Sequence, residues 1–462
     1  MLRKIRIAAA AFFFVLTTLL FLDFTGTLHA WLGWMAKIQF LPALLALNVG
    51  VVAFLVILTL LFGRVYCSVI CPLGVMQDVI SWASGKRRKH RNRFAYSPAL
   101  TWLRRGMLVV FVAAMLAGVG SLLAPYSAYG RIASNLLAPV YAWGNNLLAY
   151  IAERMDSYAF YSVDVWMKGL STFLVAVVTF VVLFILAWRN GRTYCNTVCP
   201  VGTVLGFLAR YSLFKPRFDV SKCNGCKLCA RNCKASCIDP VVHKIDYSRC
   251  VACMDCLENC RQGAITYTLR RRNPVPASVS RKPAADAAKA PSDASRRRFL
   301  GLAGVVAYSA LRAQEKKVDG GLAVIADKKV PNRTTPVVPP GARSLRHFNA
   351  HCTGCQLCVS VCPNQVLRPS GKLMTLMQPE MSFERGYCRP ECAKCAEVCP
   401  TDAIRLTGLA EKSSIQIGHA VWIAENCVVN TDGVTCNNCA RHCPAGAISM
   451  VHRDPDDPKS PR

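Results

Sequence analysis

Acidic residues are scarce in this 462-residue chain: 26 Asp and Glu face 56 Lys and Arg, a formal net charge of +30. An excess of that size ordinarily raises nucleic acid as a partner. No aromatic-studded basic motif accompanies it, so nucleic acid is not expected. No Cys-x-x-Cys-His run occurs, and attached c-type haem is therefore not indicated. No phosphate-cradling glycine loop, flavin motif or nucleophile constellation stands out, which leaves little support for an enzyme acting on a soluble substrate.

Apolar sequence and cysteine are what the chain has in quantity. Apolar residues make up 53% of it, enough for part of it to live in lipid. A run of about 20 apolar residues crosses a bilayer, and four segments come near that: 7–22, 38–62, 105–124 and 167–188. The basic residues gather beside them, as in MLRKIR at the start, KRRKHRNR at 86–93 and RRR at 270–272 and 296–298. Basic flanks mark the cytoplasmic side of a span. The chain is thus expected to start inside a bacterial inner membrane and cross it four times, returning inside after 188. Residues 125–166, poor in charge and bearing several Tyr and Trp, read as an outer segment near the interface.

Twenty of the 25 cysteines fall into five quartets: Cys223/Cys226/Cys229/Cys233, Cys250/Cys253/Cys256/Cys260, Cys352/Cys355/Cys358/Cys362, Cys388/Cys392/Cys395/Cys399 and Cys427/Cys436/Cys439/Cys443. Disulfides do not call for repeated C-x2-C-x2-C-x3-C, and an odd total leaves a thiol unpaired. Zinc sites read more often as two separated CxxC pairs. Three cysteines on a short loop with a fourth just beyond suit a cubane [4Fe-4S] cluster, and about five are expected. The last three quartets end in Cys-Pro (Pro363, Pro400, Pro444), as bacterial ferredoxin runs do, whereas Lys234 and Arg261 stand there in the first two.

In two-cluster ferredoxins the fourth cysteine of each run serves the other cluster. By that rule Cys223, Cys226 and Cys229 go with Cys260, and Cys250, Cys253 and Cys256 with Cys233. Cys237 is a spare thiol that could replace Cys233, although spacing favours Cys233. Cross-pairing among the last three quartets stays open, and the last is the loosest. Short strands are expected after the runs, at Ile265-Thr266-Tyr267, Ala403-Ile404 and Ala447-Ile448. Lys227, Arg231, Lys234 and Arg249, beside the cysteines, would favour the reduced cluster or dock an acidic partner.

Two further pairs repeat one pattern: Gly63-Arg64-Val65-Tyr66-Cys67-x3-Cys71-Pro72 and Gly191-Arg192-Thr193-Tyr194-Cys195-x3-Cys199-Pro200. The expected topology puts both at the same membrane face, where Cys67, Cys71, Cys195 and Cys199 could converge on one iron or iron–sulfur centre. Two unrelated buried pairs are the plainer alternative. His29, with Trp31, Trp34 and Asp23 in the first outer loop, is a candidate quinone contact, although aromatic residues there usually only anchor the interface. Residues 268–298 read as a disordered linker. It ends in Ser295-Arg296-Arg297-Arg298-Phe299-Leu300-Gly301 before a short apolar run, which reads as an internal twin-arginine export signal, a short amphipathic or buried helix after a basic linker being the plainer alternative.

The paired Cys-x3-Cys-Pro motifs ahead of a two-cluster segment resemble the NapH/MauN family of membrane ferredoxins. The twin-arginine signal ahead of repeated cysteine runs resembles the NapG/MauM family of periplasmic ferredoxins, here with cysteines for three clusters where four are usual. The resemblance implies a fusion of the two. Its fold would be a membrane α-helical domain of four transmembrane helices over 1–215 and an α+β ferredoxin-like [4Fe-4S] domain over 216–268. A linker over 269–345 and a periplasmic ferredoxin domain over 346–455 would follow. The implied role is a quinol dehydrogenase module passing electrons from quinol, or a cytoplasmic donor, to a periplasmic reductase or cytochrome. The alternative is a membrane ferredoxin that reduces or matures a partner metalloenzyme, as NosR-like and CcoG-like proteins do, though the chain lacks an FMN-binding domain.

Overall fold

A computed structural model describes residues 1–87, 94–117, 122–165, 167–269, 335–405, 408–418, 420–443, 446–452, 454, 456–457 and 460. The twin-arginine motif, its apolar run and most of the linker lie outside the described residues. The chain divides into two compact units, Met1–Ser413 and Ser414–Arg462.

The first unit opens with α1 (Leu2–Leu22), followed by the short helices α2 (Thr27–Leu32), α3 (Trp34–Lys37) and α4 (Phe40–Leu45) and then by α5 (Val49–Phe62). Next come α6 (Val65–Val69), α7 (Pro72–Gly85), α8 (Thr101–Leu116), α9 (Pro125–Ile132) and α10 (Ala138–Arg154). The helical part closes with α11 (Leu170–Asn190), α12 (Thr193–Thr197) and α13 (Pro200–Ala209). Among the described residues two helices, α1 and α11, are long and apolar enough to cross a membrane. The expected span over 38–62 is broken instead: Leu47 is left-handed, with φ 54°, and Asn48 starts α5 by accepting from Val51 N at 3.3 Å. The third expected span yields the 16-residue α8, which ends before residues 118–121, outside the described set.

Residues 125–154 are helical. Every residue of α9 is buried, packed beside α1, α7 and α11. Tyr126 and Tyr129 lie against Phe21, and Tyr129 also against Phe14. No polar stripe marks this helix because no face of it meets solvent.

Two ferredoxin-like modules flank the helices. In the 216–268 module, β1 (Phe214–Phe218) pairs antiparallel with β4 (Ile265–Leu269), and β2 (Ile238–Asp239) with β3 (Lys244–Ile245). In the later module β5 (Leu367–Pro369) pairs with β6 (Pro379–Met381). The strand at 265–267 forms as expected. Ala403-Ile404 and Ala447-Ile448 do not form strands: Arg405 N donates one bond to Gly341 O, and Ala447 N turns back to Cys443 Sγ.

A 21-residue helix is about 30 Å long, close to the hydrocarbon thickness of a bilayer. The two ends of α1 meet different modules. Arg3 Nε pairs with Asp255 at 2.9 Å, while Thr25 O, beyond the other end, accepts from Lys394 Nζ at 3.4 Å. The antiparallel α11 repeats this. Lys168 Nζ, before its start, donates to Val359 O at 3.4 Å, and Arg192 N, after its end, donates to Lys234 O at 2.8 Å. Phe62 O and Arg104, at one end each of α5 and α8, also bond the 216–268 module.

Candidate metal centres

One backbone device recurs through the quartets. In the three runs with two-residue spacing, the residues on either side of the second cysteine are left-handed: Gly225 and Lys227, Ala252 and Met254, Gly354 and Gln356. Such conformations line up backbone N–H groups into an anion-binding concavity. The third residue after the last cysteine is left-handed in all five quartets, at Ser236, Gly263, Gln365, Asp402 and Gly446. Four of these five N–H groups donate back to the carbonyl of that last cysteine, Asp402 being the exception. Non-glycine residues seldom adopt this region, so its repetition marks one shared architecture.

The side chains group across the runs. One cavity is lined by Cys223, Cys226, Cys229 and Cys260, and another by Cys233, Cys237, Cys250, Cys253 and Cys256. Cys237 Sγ stands 3.6 Å from Cys233 Sγ, so both thiols face the second cavity. In the later module Cys399 lies in the electrostatic field of Cys352, Cys355 and Cys358, whereas Cys362 lies in that of Cys388 and Cys395. The exchange of fourth cysteines is therefore the same in both modules.

In the second unit the loosest quartet, Cys427, Cys436, Cys439 and Cys443, stands more open than those of the later module. Its cysteines stand around two short helices, Val428–Thr431 and Asn438–Arg441. Cys439 is exposed and Cys436 only half-buried, whereas Cys355 and Cys358 of the later module are buried. Cys436 and Cys439 are thus not enclosed in a formed site with Cys427 and Cys443. The physical reason is twofold. The connection from Cys427 to Cys436 is long, and the helix that carries Cys439 buries none of its residues. Little apolar surface is present to close the loop over the thiols.

The repeated pairs lie between the modules. Each copy is a five-residue helix, α6 or α12, then a break at the second cysteine and a helix begun by proline, α7 or α13. Proline at the first helical position gives up no bond and pre-sets the backbone. Cys67, Cys71, Cys195 and Cys199 are each 5% exposed. Burial, then Cys67 and Cys195, pushes the Cys71 thiol up to about 12, so the thiolate form needs a nearby cation. A Cβ on Gly74 or Gly202 would lie 2.3 or 2.2 Å from Cys67 O or Cys195 O, so the cradle admits only glycine there. Among the described residues no three His, Cys, Asp or Glu side chains gather closely enough for a single metal ion. An all-thiol set spread this way suits a multi-iron cluster with one ligand per corner.

Beyond this group lie Tyr66, whose hydroxyl donates to Gln39 Oε1 at 3.0 Å, and Tyr194, whose hydroxyl donates to Leu123 O at 3.4 Å. Next comes α9, where a Cβ on Gly130 would lie 2.5 Å from Cys355 O. Asn135, just after α9, donates to Gln356 Oε1 at 2.9 Å. Tyr194 and α9 thus lie between the four-cysteine group and the Cys352 run. On the opposite side Arg64 Nη1 reaches Ser248 O of the 216–268 module at 3.2 Å.

Of the cations beside the cysteines, Lys234 bridges Asp78 and Asp255 at 3.1 and 3.0 Å, and Arg249 pairs with Asp246 at 2.8 Å. Lys234 therefore docks α7 onto the module, whereas the Arg249–Asp246 pair is local and Arg249 reaches another segment at Ser97 Oγ, 3.5 Å away. In the first connection, His29 Nδ1 meets Asp23 Oδ2 at 2.9 Å, and His29 Nε2 is buried without a partner among the described residues. Burial opposes ionisation of Asp23, but His29, Thr25 and the Gly26 N–H hold its carboxyl well below the usual range. Trp31 and Trp34 are exposed.

A 4Fe-4S binding domain model matches residues 44–90 and 172–221, the two segments that carry the Cys-x3-Cys-Pro copies, and a 4Fe-4S dicluster domain model matches 351–403. The methylamine utilization ferredoxin-type protein MauM of Methylophilus methylotrophus is 33% identical over 138 residues, 27% of this chain and 58% of that protein. MauN of Paracoccus denitrificans, also named a methylamine utilization ferredoxin-type protein, is 27% identical over 172 residues, 37% of this chain and 48% of its own length. The regulatory protein NosR of Stutzerimonas stutzeri is 25% identical over 186 residues, 40% of this chain and 22% of its own. The chain spans about half the length or less of these relatives. No solved structure matches it. The two domain matches and the cysteines together support iron–sulfur clusters in this chain, and the relatives named MauM and MauN are ferredoxin-type proteins.

Proposed function

We propose that this chain is a membrane electron conduit, a NapH/MauN-like part fused to a NapG/MauM-like part. The observation that carries the reading is the position of the two cysteine modules at opposite ends of α1 and α11, with four buried cysteines between them. The 216–268 module is inside the cell and the 346–455 region is periplasmic, carried across by the internal twin-arginine signal. Four segments of 1–215 span the bilayer, with the shorter α5 and α8 completing the set.

Cys223, Cys226, Cys229 and Cys260 hold one cluster, and Cys250, Cys253, Cys256 and Cys233 a second. Cys352, Cys355, Cys358 and Cys399, then Cys388, Cys392, Cys395 and Cys362, hold two more. Cys427, Cys436, Cys439 and Cys443 hold a fifth, the open segment around Cys436 and Cys439 closing as metal binds. Cys67, Cys71, Cys195 and Cys199 hold a further centre beside the 216–268 module, where α5 and α11 end. Bound clusters supply one-electron redox steps, while the protein sets their spacing, burial and field. Electrons enter from quinol or a cytoplasmic donor and leave to a soluble periplasmic reductase or cytochrome.

Potentiometric EPR on the purified chain tests this. A quinol analogue should reduce cubane centres that a soluble one-electron acceptor then reoxidises. Absence of reducible cubane centres ends the reading. The match to NosR, a regulatory protein, favours a second reading in which the chain reduces or matures a partner metalloenzyme. That role predicts dispensability once the partner is mature, whereas a respiratory conduit sustains continuous quinol-linked flux.

A further inference from the structure

An arginine stands three residues before the first cysteine of each Cys-x3-Cys copy. Arg64 and Arg192 are both 0% exposed, and each reaches into the opposite copy. Arg64 Nη2 donates to Cys195 O at 3.2 Å and stands 3.8 Å from its own Cys67 Sγ. Arg192 Nη1 donates to Cys67 O at 2.7 Å and stands 3.8 Å from its own Cys195 Sγ. The glycine cradles hold them there: a Cβ on Gly74 would lie 2.6 Å from Arg192 Nη1, and one on Gly202 2.8 Å from Arg64 Nη2.

The symmetry fails at the counter-charge. Arg192 Nε donates to Asp78 Oδ1 at 2.7 Å, a full ion pair. The other partners of Arg64 are neutral, Asn196 Oδ1 at 2.8 Å and Ser248 O at 3.2 Å, and its Nε is buried with no partner. Among the described residues no carboxylate pairs with it. A buried ion without a counter-charge costs several kcal/mol. The groups beside Arg64 that can become anionic are the cysteines.

We infer that Arg64, with no carboxylate partner, is the chief counter-cation of the four-cysteine centre and holds its reduction potential up, whereas Arg192, tied to Asp78 together with Arg6 and Lys234, chiefly braces the two copies. This rests on the proposal that the four cysteines bind a cluster. Net charge is one of the quantities that set a cluster's potential. Reduction adds one electron, so a fixed neighbouring cation stabilises the reduced form more than the oxidised one.

Potentiometric EPR and iron analysis of the purified full chain test it. The centre's own signal is the difference between the chain and its Cys67→Ser/Cys195→Ser variant. Arg64→Gln should lower the reduced-to-oxidised ratio at fixed ambient potential at least tenfold, about 59 mV for a one-electron couple. Arg64→Lys, which keeps the charge, should restore most of it, and Arg192→Gln should move the midpoint less than Arg64→Gln does. An Arg64→Gln protein with full iron and an unmoved midpoint overturns the inference. Should Arg64→Gln fail to fold, a midpoint in Arg64→Lys displaced further than in Arg192→Gln overturns it as well. If instead the cysteine variant keeps the iron and spectrum of the parent, the cluster reading itself is wrong, an outcome separate from failure of the arginine's role.

Discussion

Where a ferredoxin run ordinarily continues with proline, this chain has Lys234, and its ammonium joins Asp78 of α7 to Asp255 of the 216–268 module. Arg6 and Arg192 complete the network on Asp78. The departure from proline was legible in the sequence. Its purpose was not, because the partners lie far away in the chain and no local pattern ties them to it. Removing one partner from a buried ion network costs about 3–5 kcal/mol. Lys234→Ala should therefore loosen the module, with faster proteolysis at 216–268 while the cysteines remain intact. Burial opposes ionisation of Asp78, but Arg192, Lys234 and Arg6 hold its carboxyl well below the ordinary 3.8. Its contribution is complete above that ordinary value and fades only as pH falls through the depressed one. Docking measured by thermal melting should accordingly be flat across neutral pH. The cysteine quartets were legible from spacing, which also marked the last as the loosest, but the exposure of Cys439 was not, because spacing says nothing of what packs over a thiol. The left-handed turn after each quartet was hidden too, because Ser236, Gln365 and Asp402 occupy positions where glycine would have announced it.

At the scale of elements, α1 and α11 could be read from hydropathy alone, since an unbroken apolar run of that length has few other uses. The break at Leu47–Asn48 was hidden inside a run that looks continuous. The helix α9 escaped because its burial is complete and its composition, with Pro125, Tyr126, Tyr129 and Arg131, is that of an interfacial loop. Yet α9 lies between the four-cysteine group and Cys355. A side chain at Gly130 would meet Cys355 O at 2.5 Å and the Phe21 ring at 2.9 Å. Overpacking of this kind costs about 1–3 kcal/mol. Gly130→Val should push the later module off the helices and slow reoxidation of the 216–268 clusters by an external acceptor. Their own potentials should stay unchanged. Equal reoxidation rates in the variant and the parent would remove α9 from the route.

Across the whole molecule, the Ser414–Arg462 unit has a single buried hydrophobic residue among those described, Val429. So small an apolar core cannot offset chain entropy, and on the proposal that its four cysteines hold a cluster, metal binding contributes to its folding. Iron chelation should therefore expose 414–462 to protease first, while the α1 and α11 pair survives. The arrangement of the modules was legible only as far as charge placement reached, and contacts such as Arg3 with Asp255 and Lys394 with Thr25 carry the rest. The central claim, that these modules stand on opposite sides of a bilayer, is tested most directly by protease accessibility in intact spheroplasts. The account predicts that externally added protease cleaves within 346–413 while 216–268 stays protected until the membrane is lysed. Equal protection of both segments would contradict it.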